Sequence, residues 1–146
     1  MSPRRSKRKR QSLSRADLGA LGEALESVRW DLNAAWDLIL PDRPCRPWQR
    51  DANDAISRQW QSGNRNVRVH VRTCHGAGKS FWLAGLGYIF MWTRPHPRLL
   101  NTAPTWRQVE GTLWPEVHAH HLSSPLSRLG LVEMLDTKMR MRGDPL

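Results

Sequence analysis

Between Thr73 and Ser80 the chain reads TCHGAGKS, and these residue types in this order suit the binding of a polyphosphate. Gly76, Ala77 and Gly78 leave a backbone slim enough to wrap an anion and turn its N–H groups inward. Lys79 adds a point charge suited to the β- and γ-phosphates of a nucleotide, and Ser80 a hydroxyl suited to Mg²⁺. Cys74 and His75 complete the loop. The general pattern is Gly-x-x-x-x-Gly-Lys-Ser/Thr, and Thr73 stands here at its first glycine.

Such a loop needs a strand to deliver it and a helix to leave it, because the helix N-terminus aims its positive dipole end at the anion. Val67 to Val71 alternates β-branched and polar residues and predicts the strand. Phe81, Trp82, Leu83, Leu86, Ile89 and Phe90 predict an apolar helix from about Lys79 to Trp92. A short strand at Arg98 to Thr102, a turn at Ala103-Pro104-Thr105 and a helix from about Trp106 to Ala119, interrupted at Pro115, follow. Strand, helix, strand, helix in this order predicts an α/β fold with a P-loop NTPase-like parallel sheet flanked by helices. Leu135 to Met141 is a further candidate strand.

Upstream, Ser14 and Asp17 form a capping-box pattern, and Leu18, Leu21, Leu25, Val28, Leu32, Ala35 and Ile39 recur at helical spacing. They predict one amphipathic helix over residues 14–40, closed by Pro41, Pro44 and Pro47. Trp48 to Trp60 predicts another, with Trp48, Ala52, Ala55, Ile56 and Trp60 near one stripe, ended by Ser62-Gly63-Asn64. Residues 46–146 then form a partial ATPase-type domain, and residues 1–13 a disordered basic arm.

The chain has 146 residues, with 23 Lys and Arg against 13 Asp and Glu and a formal charge of +10. Six of the first ten residues are basic. This distribution suits a polyanionic partner such as DNA or RNA, whose condensed counterions clustered Lys and Arg release; it equally suits a solvated or localisation-type tail. Cys45 and Cys74 read as free thiols in a reducing compartment, since a disulfide at Cys74 would obstruct the loop. No apolar segment follows the basic run as in a secretory signal, and none is long enough to span a membrane.

The combination of Trp48-Gln49, RTCHGAGKS, an apolar helix and RLLNTAPTWRQVEGTLWPEV over about residues 46–120 resembles the ATPase domain of large terminase subunits of tailed bacteriophages. The resemblance implies ATP and Mg²⁺ as cofactors and double-stranded DNA as the substrate moved by hydrolysis. It also implies the terminase small subunit and the portal or procapsid as partners, a possible homo-oligomer on the portal, and the cytoplasm of the bacterial host as the setting. By resemblance Gln49 would read the adenine edge, and Thr102 to Thr105 would couple nucleotide state to DNA contact. His75 occupies the loop position where many members carry an arginine, so the charge-stabilising arginine stays unassigned.

No carboxylate stands convincingly at the end of an apolar strand to hold the cation and orient a water. Glu133 and Asp136 in LGLVEMLD are weak candidates, because Glu133 interrupts the apolar run. The expectation is that the catalytic acid and a nuclease domain lie beyond Leu146, so that this chain binds ATP without turning it over. Two other classes share part of the pattern: a helicase-type ATPase, and a non-enzymatic basic nucleic-acid-binding protein with a vestigial loop. His118, His120 and His121 lack a completing cysteine or carboxylate and read as a polar helix end, and the tryptophans, at helical spacing beside aliphatics, read as core.

Overall fold

A computed structural model describes residues 14–142. The basic arm and the last four residues lie outside that range.

Helix α1 (Arg15–Ser27) opens on the expected capping box: the Asp17 N–H donates to Ser14 Oγ at 3.1 Å and the Ser14 N–H to Asp17 Oδ2 at 3.0 Å. The Ser14 hydroxyl, which donates to Asp17 Oδ2 at 2.7 Å, and the Ser14 N–H together hold the Asp17 carboxyl below its ordinary pKa. The single helix expected over 14–40 is in fact two. The chain turns at residues 28–30, and Asp31 caps α2 (Leu32–Ile39) by accepting from the Asn33 and Ala34 N–H groups. Apolar spacing continues across this break and conceals it, whereas the Asp31 cap marks it. The buried face of α2 is Leu32, Ala35, Trp36 and Ile39; α1 buries no residue fully.

Helix α3 (Pro47–Gln61) starts with proline at its first turn, where the missing N–H costs no bond. Its buried stripe differs from the tryptophan and alanine stripe expected. Gln49, Asn53, Ile56 and Ser57 are buried, while Trp48, Ala52, Ala55 and Trp60 are half-buried. The polar members are all bonded. Ser57 Oγ accepts from the Leu32 N–H at 3.0 Å and donates to the Asn53 carbonyl. Asn53 donates to Asn33 Oδ1 at 3.0 Å and accepts from Trp82 Nε1 at 2.8 Å. This seam ties α3 to α2 on one side and to α4 (Lys79–Thr93) on the other.

Helix α4 is the central rod, buried at Trp82, Ala84, Gly85, Tyr88, Ile89, Met91, Trp92 and Thr93. The fully buried Trp36 lies across Gly85, where an added Cβ would stand 2.1 Å from Trp36 Cη2 and 2.7 Å from Cζ3. A rigid indole cannot yield that space. Gly85→Ala is therefore expected to lower stability by about 1–3 kcal/mol, seen as a lower urea midpoint, despite the roughly 1 kcal/mol that alanine gains in helix propensity.

A short helix α5 (Trp106–Gln108) runs through a π-helical turn (Val109–Leu113) into α6 (Trp114–Ser123), which packs along α4. A 3₁₀ turn (Pro125–Leu129) leads to an antiparallel hairpin of β1 (Val132–Met134) and β2 (Met139–Met141), with Glu133 opposite Arg140 and ion-paired to it at 2.6 Å.

This architecture corrects the expected parallel sheet. Helices dominate, and the hairpin is the sheet formed among the described residues. The segments at 67–71 and 98–102 carry no ladder there. Val67 and Val71 rest on the core, but Val69 and Leu99 are exposed and Leu100 is 90 % exposed. Alternation predicts a local extended shape and says nothing of a partner. Arg68, His70 and Arg72 also make the first segment one-sided, unlike the continuous apolar runs of a buried parallel strand. No helix among the described residues is long and apolar enough to cross a membrane.

Candidate nucleotide site

The loop from Thr73 to Gly78 is held from behind by the first turn of α3. Arg46 Nη1 donates to the Gly76 carbonyl at 3.2 Å, Trp48 Nε1 to the Ala77 carbonyl at 3.0 Å, and Gln49 Nε2 to the Gly78 carbonyl at 3.0 Å. Three successive carbonyls thus face α3. In a trans peptide the next residue's N–H points opposite its carbonyl, and no peptide here is cis. The Ala77, Gly78 and Lys79 N–H groups therefore face away from α3, and no protein acceptor among the described residues takes them. Gly76 and Gly78 reach this path at φ 74° and 89°, left-handed values that favour glycine. At Gly78 an added Cβ would also stand 3.0 Å from Gln49 Nε2.

Beside the loop lies a cavity of about 810 Å³, which Pro44 and Arg46 also line. His75 to Phe81 line one wall, and Asn101, Thr102 and Ala103 another. The two motifs separated in sequence thus meet at one place even without the expected sheet. Pro104 and Thr105 do not line it.

Lys79 bends back along the loop. Its ammonium donates to the Thr73 carbonyl at 3.2 Å, Thr73 Oγ1 at 3.0 Å and the Cys74 carbonyl at 2.9 Å. Thr73, the departure from the general pattern, therefore supplies a hydroxyl acceptor that helps hold the lysine. Ser80 lines the cavity one residue on. Free N–H groups, a helix N-terminus, a lysine and a hydroxyl on one concave wall fit a polyphosphate with a divalent cation.

No protein family, characterised protein or solved structure matches the chain. The site rests on its own geometry.

Gln49, for which the resemblance implies a base contact, has both ends of its amide bonded within the protein. It is fully buried, its Oε1 accepting from the Arg46 N–H at 2.9 Å while its amide nitrogen holds Gly78. Its structural place is behind the loop, and both halves of its amide are occupied. Cys74 is an exposed free thiol beside the lysine, and Cys45 is half-buried with its thiol pushed up to about 12, chiefly by burial. Glu133, paired with Arg140 on the hairpin, does not line the cavity. Sequence reading missed Arg46 and Trp48 as holders of the loop. It also missed Gln108, Thr112 and Glu116 as cavity residues, although their even spacing of four was a usable signal.

The histidine cluster serves the fold. His120 is fully buried beside Trp36 and Phe81, and its Nε2 lies 2.9 Å from the Phe81 carbonyl, so Nε2 carries the proton and donates. Nδ1 is buried with no partner. Burial, with Arg43 adding repulsion, pushes the His120 pKa down to about 4. An unfolded chain takes up this proton near pH 6.5 and the folded chain only near 4, so stability is expected to fall as pH drops through that window. Unfolding free energies from urea titrations at pH 7 and pH 5 should differ by about 2 kcal/mol, and His120→Gln should remove most of the difference.

Proposed function

We propose that this chain is the nucleotide-binding part of an ATPase of the terminase large-subunit type, which couples ATP hydrolysis to movement along double-stranded DNA. The observation that carries the reading is the loop whose carbonyls are tied to α3 and whose residues His75 to Ser80 line a cavity shared with Arg46 and with Asn101 to Ala103. ATP with Mg²⁺ is the ligand proposed for that cavity. Lys79 would meet the β- and γ-phosphates, the Ala77 to Lys79 N–H groups the phosphate oxygens, and Ser80 the cation. The cation would supply charge neutralisation between the phosphates.

A DNA partner draws support from charge outside the basic arm. Arg29, Arg65 and Arg94 place their guanidinium carbons 5.0, 4.1 and 4.1 Å from the Trp30 ring centre, with Glu26 ion-paired to Arg29. Burial and the neighbouring Arg29 and Arg65 hold Arg94 down to about 10. This concentration of positive charge lies at the far end of α4 from the loop, about 22 Å away by helix rise. The experiment that tests the reading is titration of a fluorescent ATP analogue with Mg²⁺ into the full chain and into Lys79→Met, with binding to duplex DNA followed at two salt concentrations. Nucleotide binding lost in the variant supports an ATPase. Salt-sensitive DNA binding alone, indifferent to Lys79, would favour a nucleic-acid-binding protein with an inert loop.

A further inference from the structure

The polar stripe opposite the loop has no role in the reading above. Gln108, Thr112 and Glu116 follow one another at intervals of four along the helical segment that packs on α4, and all three line the cavity with Ser80. In a plain α-helix such a stripe drifts around the axis. The π-helical turn at Val109–Leu113 sits in the middle of it, and its wider turn takes up that drift while Val109 and Leu113 remain buried. Glu116 is the carboxylate among the residues lining the cavity. Its Oε2 accepts from Arg43 Nη2 at 2.8 Å, and no protein donor among the described residues reaches Oε1. Arg43 is itself fixed, its guanidinium 4.8 Å from the ring centre of Phe81, the residue after Ser80. The carboxylate is thus steered by an arginine anchored to the first turn of α4 and keeps an oxygen available to the cavity.

We infer that Glu116 is the carboxylate arm of the divalent-cation site, acting with Ser80 on the cation that accompanies the nucleotide. This inference rests on the nucleotide reading of the loop. Mg²⁺ at nucleotide sites commonly takes one or two protein carboxylates together with phosphate oxygens and retained waters, so one carboxylate and one hydroxyl lining the same cavity are a sufficient protein contribution. Arg43 is a positioning residue: it holds one carboxylate oxygen and so orients the other. The acid sought at the end of an apolar strand is supplied instead from a helix, at a position that strand grammar does not reach.

The test measures affinity of the full chain for a fluorescent ATP analogue with excess Mg²⁺ and again with EDTA, and takes the ratio. In the wild-type chain Mg²⁺ tightens binding. Glu116→Gln is expected to lower that ratio roughly tenfold while leaving metal-free affinity equal or tighter, since a negative charge near the phosphates is gone. Arg43→Met also breaks the ion pair but keeps the carboxylate, and should lower the ratio by less than Glu116→Gln does, with metal-free affinity preserved. A ratio unchanged in Glu116→Gln overturns the inference while the loop reading stands. Equal losses in both variants, with and without metal, overturn it too, since they mark the pair as structural. A wild-type chain that binds no nucleotide overturns the loop reading and this inference together. Should Glu116→Gln not fold, Glu116→Asp decides: the shortened carboxylate should reduce the ratio with metal-free affinity preserved, and an unchanged ratio overturns the inference.

Discussion

Lys79→Met is expected to weaken binding of Mg²⁺-ATP by about 100-fold, close to 3 kcal/mol, because it deletes a charge-assisted contact to the phosphates. Methionine keeps the aliphatic stem, so the helix start is preserved and the loss reports on the ammonium. Lysine is not waiting free in solvent: it already donates to the Thr73 carbonyl, Thr73 Oγ1 and the Cys74 carbonyl. These bonds use all three ammonium protons, so meeting a phosphate exchanges at least one of them, and the expected loss is the net of that exchange. Lys79→Arg is expected to fail as well, since a planar guanidinium replaces a compact point charge. Isothermal titration calorimetry on the variants, with thermal unfolding as the control for fold, checks the result.

Gln49→Ala is expected to have the second largest effect, and of a different kind. The Gln49 side chain is 0 % exposed and bridges the Arg46 N–H to the Gly78 carbonyl. Its removal leaves the Arg46 N–H without its protein acceptor and opens a void behind the loop, at a cost of about 2–4 kcal/mol. That is a large fraction of the stability of a domain this size. The Gly78 carbonyl keeps its bond from the Trp82 N–H at 3.0 Å but loses the side-chain contact that fixes its direction. Affinity should therefore fall about tenfold for ATP, GTP and inorganic tripolyphosphate alike, since the damage is to the loop and not to a base contact. If Gln49 read the adenine edge, adenine nucleotides alone would weaken and the urea midpoint would hardly move.

The loop was legible in the sequence because its requirements are local. Glycines at left-handed φ, a lysine and a hydroxyl at the start of a helix can be read from adjacent letters, and the capping box at Ser14 is of the same kind. Long-range partnership was not legible. The alternation of Val67 to Val71 shows a chain that can extend, but a ladder depends on a neighbour that no local pattern names. The break at Asp31 was hidden by apolar spacing that continues through it. The buried Asn53 and Ser57 were passed over because hydrophobic periodicity looks for apolar stripes, and this seam is held by hydrogen bonds from other elements. The resemblance implied a coupling role for Thr102 to Thr105; of these Thr102 and Ala103, with Asn101, share the cavity with the loop, brought there by packing and not by neighbouring strands. Glu116 escaped because the search for an acid was tied to strand ends.

The most direct measurement is a ¹⁵N–¹H correlation spectrum of the full chain titrated with inorganic tripolyphosphate and Mg²⁺, a ligand with phosphates and no base. The backbone amides of Ala77, Gly78, Lys79 and Ser80 should shift most, in step with one another, and stay unshifted in Lys79→Met at the same concentrations. Shifts confined to the Arg29, Arg65 and Arg94 cluster or to the basic arm, with the loop amides unmoved, would contradict a polyphosphate site at this loop.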